Sequence, residues 1–165
     1  MLLRNISELP ALLKKNQCLL GLDYGSKIIG VAVSDPLLRV ASPLSSIPRV
    51  KFPQDSALLI KIIRERSIGG IVVGMPKNME GDEDTPTAQA ARAFVRNVTS
   101  HPEMPHPDIP VVFWDERFST AAVERFMIAD DMSRKRRQEV IDKAAAAYIL
   151  QGALDALSSN IVSKT

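Results

Sequence analysis

Three carboxylates in this sequence stand where a charge is either costly or well aimed. Asp23 interrupts the apolar run CLLGLDY, Cys18 to Tyr24. Glu116 lies in FWDERFS, directly after a β-branched and aromatic run. Asp142 opens IDKAAAAYILQG, where spacings of three and four put it on one helical face with Ala145, Ala146 and Ile149. A lone charge within a strand buried on both faces costs on the order of several kcal/mol unless it is paired or ligates a metal. Asp23 therefore reads either as a strand-end residue bonded to the Gly25-Ser26 turn or as a ligand. Asp115, Glu116 and Arg117 read as a charged turn or as a site outside the carboxyl end of a strand, where ligands gather in open α/β sheets. Asp142 reads as partly exposed in the first turns of a helix or as pointing at a sheet.

Taken together, the acids supply one carboxylate from a first strand, one from the end of a last strand and one from the start of a last helix. Such a set is rich in hard oxygen and has no His or Cys near it, which suits Mg²⁺ or Mn²⁺ and not Zn²⁺. Two such ions about 3.5–4 Å apart activate a water and stabilise the leaving oxygen of phosphodiester cleavage. His101 and His106 lack metal-ligand spacing, fall in the proline-rich SHPEMPHPDIP and are expected to be solvated.

The elements that must position these acids follow from periodicity. CLLGLDY and IIGVAVS (Ile28 to Ser34), joined by Gly25-Ser26-Lys27, predict an antiparallel hairpin. Val40 to Ile47 predicts a third strand that Pro43 confines to an edge or a bulge. Asp55 to Arg66 spaces Leu58, Leu59, Ile62 and Ile63 as an amphipathic helix. Ile71 to Met75 predicts a strand, Thr87 to Val98 a helix with Pro86 in its first turn, and Val111 to Trp114 a last strand. Ser119 or Thr120 caps a helix to about Asp130, and Ser133 caps one to about Leu157. This order predicts an α/β fold: a mixed five-stranded sheet, three antiparallel strands then parallel β-α-β units, with helices on both faces.

At 165 residues the chain fits one domain. A net charge of +2 imposes no global nucleic-acid reading, although Arg134-Lys135-Arg136-Arg137 is strongly basic. The single Cys18 excludes an internal disulfide, fits a reducing compartment and leads into an apolar run, as a small buried side chain does. No apolar run approaches membrane-spanning length, and the N-terminus has no signal cleavage pattern but suggests a short amphipathic helix broken near Pro10. The expectation is a soluble, cytoplasmic protein with an N-terminal extension (1–17), a catalytic domain (18–158) and a C-terminal tail (159–165).

GLDYGSKIIGVAVSD, VVGMPKNMEG, FWDERFST and IDKAAAAYILQG, in this order and at these separations, resemble the YqgF/RuvX-like family. The resemblance runs from about Leu19 to Leu157. It implies an RNase H-like fold similar to Holliday junction resolvases and a nuclease processing the 5′ end of pre-16S ribosomal RNA. It also implies that Asp23, Glu116 and Asp142 are the metal-binding catalytic acids, with Glu116 preferred to Asp115. Gly74, Pro76, Asn78 and Gly81 correspond to a loop beside the site. Ile28 departs from the pattern, since relatives often carry a basic or hydroxyl residue there.

Lys27, Lys77, Asn78 and Arg117 near strand ends are candidate phosphate contacts, as are Arg134, Lys135, Arg136 and Arg137, whose cations oppose the dipole of the helix they open. Solvated loop charge is the alternative for each. Trp114 and Phe118 either stack on bases or pack the core. Functionally, a Mg²⁺- or Mn²⁺-dependent nuclease on structured RNA leads. The alternatives are a resolvase of branched DNA and a non-catalytic RNA-binding or assembly factor. An actin- or sugar-kinase-like ATP-binding domain needs two such folds and a longer chain. A monomer and a homodimer are both compatible with the sequence.

Overall fold

The computed structural model describes residues 1–25, 27–75, 85–115 and 134–163; for 115, 134–140, 142 and 159–163 it describes the backbone alone. Five strands form one sheet in the order β3-β2-β1-β4-β5. They are β1 (Cys18–Tyr24), β2 (Ile28–Ser34), β3 (Ala41–Pro48), β4 (Ile68–Met75) and β5 (Val111–Asp115). β1 pairs antiparallel with β2 and parallel with β4, β2 pairs antiparallel with β3, and β4 pairs parallel with β5. The mixed sheet with its hairpin start is the architecture expected from the sequence. β1 and β4 are apolar nearly throughout because both of their faces are covered.

Two helices, α1 (Phe52–Glu65) and α2 (Pro86–Thr99), cover one face. There Leu20, Leu22, Ile29, Val31, Ile71 and Val73 meet Leu59, Ile63, Ala91 and Phe94. The long helix α3 (Arg134–Ser163) covers the other face, with Leu19, Ala32, Val72 and Val112 against Ala146, Ile149, Leu150 and Leu154.

β3 is an edge strand, and its register skips between Val31↔Ser45 and Ala32↔Pro43, so Pro43 sits both at an edge and beside a bulge, as expected. Several other expectations need adjustment. α1 begins at Phe52, before Asp55, because Pro53 suits the first helical turn. Its inward face is accordingly Ser56, Leu59, Ile60 and Ile63, while Leu58 is 49% exposed and not part of the core. α3 runs to Ser163, beyond Leu157. The N-terminal segment is not an amphipathic α-helix but two 3₁₀ turns, Ile6–Glu8 and Pro10–Leu12. A capping box between Asn5 and Glu8 closes the first turn, and Pro10 starts the second. The helix expected from Ser119 or Thr120 to Asp130 lies outside the described residues.

Candidate active site

Side chains alternate along β1, so Leu20, Leu22 and Tyr24 face α1 and α2, whereas Leu19, Gly21 and Asp23 face α3. Asp23 is half-buried near the carboxyl end of this central strand. Its partner on β2 is Gly30 and its partner on β4 is Gly74, which in turn pairs with Trp114 of β5. No side chain therefore flanks Asp23 at its own level on either neighbouring strand. Its two register partners are thus glycines, both buried.

Gly21, two residues earlier on the same face, fixes the approach of α3. A Cβ built there would lie 2.8 Å from Leu150 Cβ and 3.1 Å from the Ala146 carbonyl oxygen. The helix direction follows from its other end. Gln151 Oε1 accepts from Ala41 N–H at 2.8 Å, and its Nε2 donates to the Arg39 carbonyl at 2.9 Å and to Asp155 Oδ1 at 3.0 Å. Ala41 pairs with Ser34, whose hydroxyl accepts from Leu19 N–H at 2.8 Å, at the amino end of β1. α3 thus runs from the carboxyl towards the amino end of β1. The backbone of Asp142 lies one turn before Ala146, in the direction in which Asp23 lies beyond Gly21. Ala145, Ala146 and Ile149, the face on which the sequence puts Asp142, are fully buried.

Lys27 is exposed in the hairpin loop beside this strand end, and its carbonyl accepts from Arg49 N–H at 2.8 Å. Arg134, Lys135, Arg136 and Arg137 form the first turn of α3. Gly74 is the penultimate residue of β4, and Asp115, paired with Met75, ends β5. Glu116, Arg117, Phe118, Pro76, Lys77, Asn78 and Gly81 lie outside the described residues. Trp114 is half-buried against the α3 core, and a Cβ on Gly152 would come within 3.3 Å of its indole nitrogen, in keeping with a packing role.

The histidines depart from expectation. Both are half-buried: His101 Nδ1 accepts from Glu103 N–H at 3.1 Å, and His106 Nε2 lies 3.4 Å from Gln17 Nε2. They order the connection before β5 and stand apart from Asp23. Cys18 is half-buried at the margin of the core, where burial, followed by the charge of Asp35, pushes its thiol up and keeps it protonated. Asp35 is held below the usual carboxylate range, chiefly by the Val40 amide and also by that of Arg39. It closes the β2–β3 loop at the far end of the sheet.

Among the described residues, no three His, Cys, Asp or Glu side chains gather into a metal-holding group. The donor chemistry nevertheless fits Mg²⁺ or Mn²⁺: a hard carboxylate oxygen donor on the central strand with glycine register partners, and the backbone of a second acid, Asp142, on the helix packed over the same face. Sequence reasoning singled out Asp23 and Asp142 as candidates but overlooked Gly21 and Gln151, which seat the helix. Gly21 shares a face with Asp23, and Gln151 stands one position past the Leu150 that packs on Gly21. That placement is the signal that identifies both residues.

The family model described as "RuvX: Holliday junction resolvase" matches residues 17–156. Relatives carrying the name "Putative pre-16S rRNA nuclease" include one from Rhodospirillum centenum, 54% identical over 95% of this chain and 83% of its own. Another, from Paracoccus denitrificans, is 51% identical over 95% of this chain and 96% of its own. Among solved structures, Thermus thermophilus RuvC in complex with a Holliday junction substrate superposes with a TM-score of 0.53 at 16% identity, covering 88% of this chain and 96% of that one. The fowlpox virus resolvase bound to Holliday junction DNA gives 0.52 at 10% identity, covering 86% and 99%. At such identities these two speak for the fold, which is RNase H-like. On the extent of the family match and the identity to its curated relatives, the chain belongs to the RuvX family of nucleases.

Proposed function

We propose that this chain is a divalent-metal-dependent nuclease that hydrolyses phosphodiester bonds in structured RNA and processes the 5′ end of pre-16S ribosomal RNA. The observation that carries this reading is the half-buried Asp23 between Gly30 and Gly74, under a helix seated by Gly21 so that Asp142 lies towards it. The names of the curated relatives supply the substrate. Asp23, Asp142 and Glu116 are the proposed metal-holding acids. The two-residue period that puts Val112 and Trp114 on the α3 face favours Glu116 over Asp115.

Mg²⁺ or Mn²⁺ held by these acids would supply a lowered water pKa and charge neutralisation at the leaving oxygen. In the hydrolysis the water oxygen joins phosphorus, one P–O ester bond breaks, and the leaving oxygen takes up a proton. The acids fix the position of the reacting phosphate, and β1 and α3, both built into the core, keep the acids from moving apart. Lys27, Lys77, Asn78, Arg117 and the Arg134–Arg137 run contact phosphates and orient the backbone without reading bases.

The family description favours a second reading, resolution of branched DNA. No described helix is long and apolar enough to cross a membrane. We place the activity in the cytoplasm, with 18–158 as the nuclease domain, 1–17 an extension packed on it and 159–165 a tail whose backbone continues α3 to Ser163. Whether monomer or homodimer acts depends on the substrate, because symmetric junction cutting needs paired sites. The test is incubation of the chain with a precursor rRNA fragment and with a four-way DNA junction, in Mg²⁺, Mn²⁺ or EDTA. Cleavage of the RNA with either metal, lost in EDTA and reduced at least a hundredfold in Asp23→Asn and Asp142→Asn, is expected. Cleavage that survives both substitutions refutes the carboxylate site, and cleavage of the junction alone transfers the activity to DNA.

A further inference from the structure

At the handover from β3 to α1 the chain borders an open groove of about 440 Å³ between the first turn of α1 and the outer side of α2. That volume falls in the range of roughly 300–1,000 Å³ that ligand sites occupy. Its walls are aromatic and basic in alternation. The Arg49 guanidinium lies over the Tyr24 ring, 4.4 Å from its centroid, and donates to the Gly25 carbonyl at 3.0 Å. Tyr24 packs on Phe94 with centroids 5.1 Å apart, and Phe94 meets Phe52 edge-on at 5.8 Å and 85°. The stack ends in solvent: Phe52 is 37% exposed, and the exposed Lys51 and Asn97 line the groove with it.

Arg49 and Lys51 outnumber the one acid in the lining, Asp55, which is 5% exposed and accepts from Val50 N–H at 3.3 Å. Asp55 is thus buried and turned to the backbone before α1, whereas the two cations of the lining, Arg49 and Lys51, are exposed. An aromatic face with cations at its border is complementary to a base and its flanking phosphates. The groove and Asp23 lie on opposite faces of the sheet and adjoin only across the carboxyl end of β1: Tyr24, in the groove wall, follows Asp23 directly, and Arg49 is tied through both its side chain and its backbone N–H to the turn after Asp23.

We propose that this groove binds the single-stranded stretch of the nucleic-acid substrate next to the scissile position, with a base against Phe52 and its phosphates on Arg49 and Lys51. The proposal rests on the nuclease reading and specifies its substrate: structured nucleic acid with an unpaired tail, which passes over the carboxyl end of β1 from the α3 face to the groove. Loss of one stacked base weakens binding by about fivefold to more than a hundredfold.

The test measures binding of the full chain in EDTA to a blunt RNA hairpin and to the same hairpin with an unpaired tail, both fluorescently labelled. The tail is expected to tighten binding at least fivefold. Phe52→Ala and Lys51→Glu are expected to remove that gain while leaving the affinity for the blunt hairpin unchanged. Lys51 is exposed, so its variant retains the fold if Phe52→Ala does not. A tail carrying 4-thiouridine is expected to crosslink within residues 49–55 or 90–97. A tail gain unaltered by Lys51→Glu, or crosslinks confined to other segments, overturns the proposal. Cleavage is scored separately. Tail-dependent binding without any cleavage rejects the nuclease reading and keeps the groove, whereas cleavage with no tail-dependent binding rejects the groove and keeps the nuclease.

Discussion

A carboxylate on a strand needs room beside it and a firm support behind it, and the glycines around Asp23 divide these tasks. Gly30 and Gly74 set no side chain of their own beside it, while Gly21 lets α3 settle against β1. The atoms that a Gly21 Cβ would meet, Leu150 Cβ and the Ala146 carbonyl oxygen, belong to the helix frame and cannot swing aside as a flexible side-chain tip can. Gly21→Ala therefore forces α3 away from the sheet. We expect a stability loss of about 1–3 kcal/mol, the usual cost of overpacking, read as a lower urea midpoint. Cleavage is expected to fall by more than the folded fraction does, because the displaced helix bears Asp142. A midpoint equal to that of the parent protein would show that α3 is not seated on Gly21.

The elements themselves were largely legible because each obeys one local rule. CLLGLDY, with no polar residue before Asp23, announces a strand covered on both faces, and Pro43 announces an edge. Errors arose where tertiary packing selects among locally equal choices. Leu58 and Ile60 are both good inward residues by spacing, and only the seating of α1 on the sheet decides that Ile60 is buried and Leu58 exposed. In the same way, Asp23 and Asp142 were visible as charges in apolar company. Gln151 was not, since a glutamine on a helix carries no sign of the strand it grips. Its amide bridges Ala41 N–H and the Arg39 carbonyl, so a helix side chain takes the place of a neighbouring strand at the start of β3. Gln151→Ala leaves the half-buried Ala41 amide without this partner, a loss of about 1–3 kcal/mol. Hydrogen exchange should report it as faster exchange at Ala41 together with weaker protection along β3. Unchanged exchange there would mean that the bridge is incidental to how α3 is held.

At the scale of the molecule, the two ends of the sheet are used differently. The carboxyl ends carry Asp23 and the hairpin turn, while the amino ends are closed by the N-terminal segment. Leu3 N–H donates to the Val111 carbonyl at 2.8 Å, and Val111 N–H donates to the Met1 carbonyl at 2.8 Å, so the chain start runs beside β5. Leu9 is fully buried in the core shared with Leu19, Val72 and Leu154, and a Cβ on Gly70 would come within 3.0 Å of it. Since Gly70 pairs with Leu19, Leu9 sits at the amino end of β1, opposite the acids. The first residues thus form a plug under the far half of α3. Leu9→Ala opens a cavity there and is expected to cost about 2–5 kcal/mol, measured by urea unfolding. Cleavage per folded molecule should stay at the parent level, because α3 remains held to β1 by Gly21 and to β3 by Gln151. A stability loss below about 1 kcal/mol would mean that the plug collapses without a cavity. A fall in cleavage per folded molecule would show that the plug acts on the acids through α3.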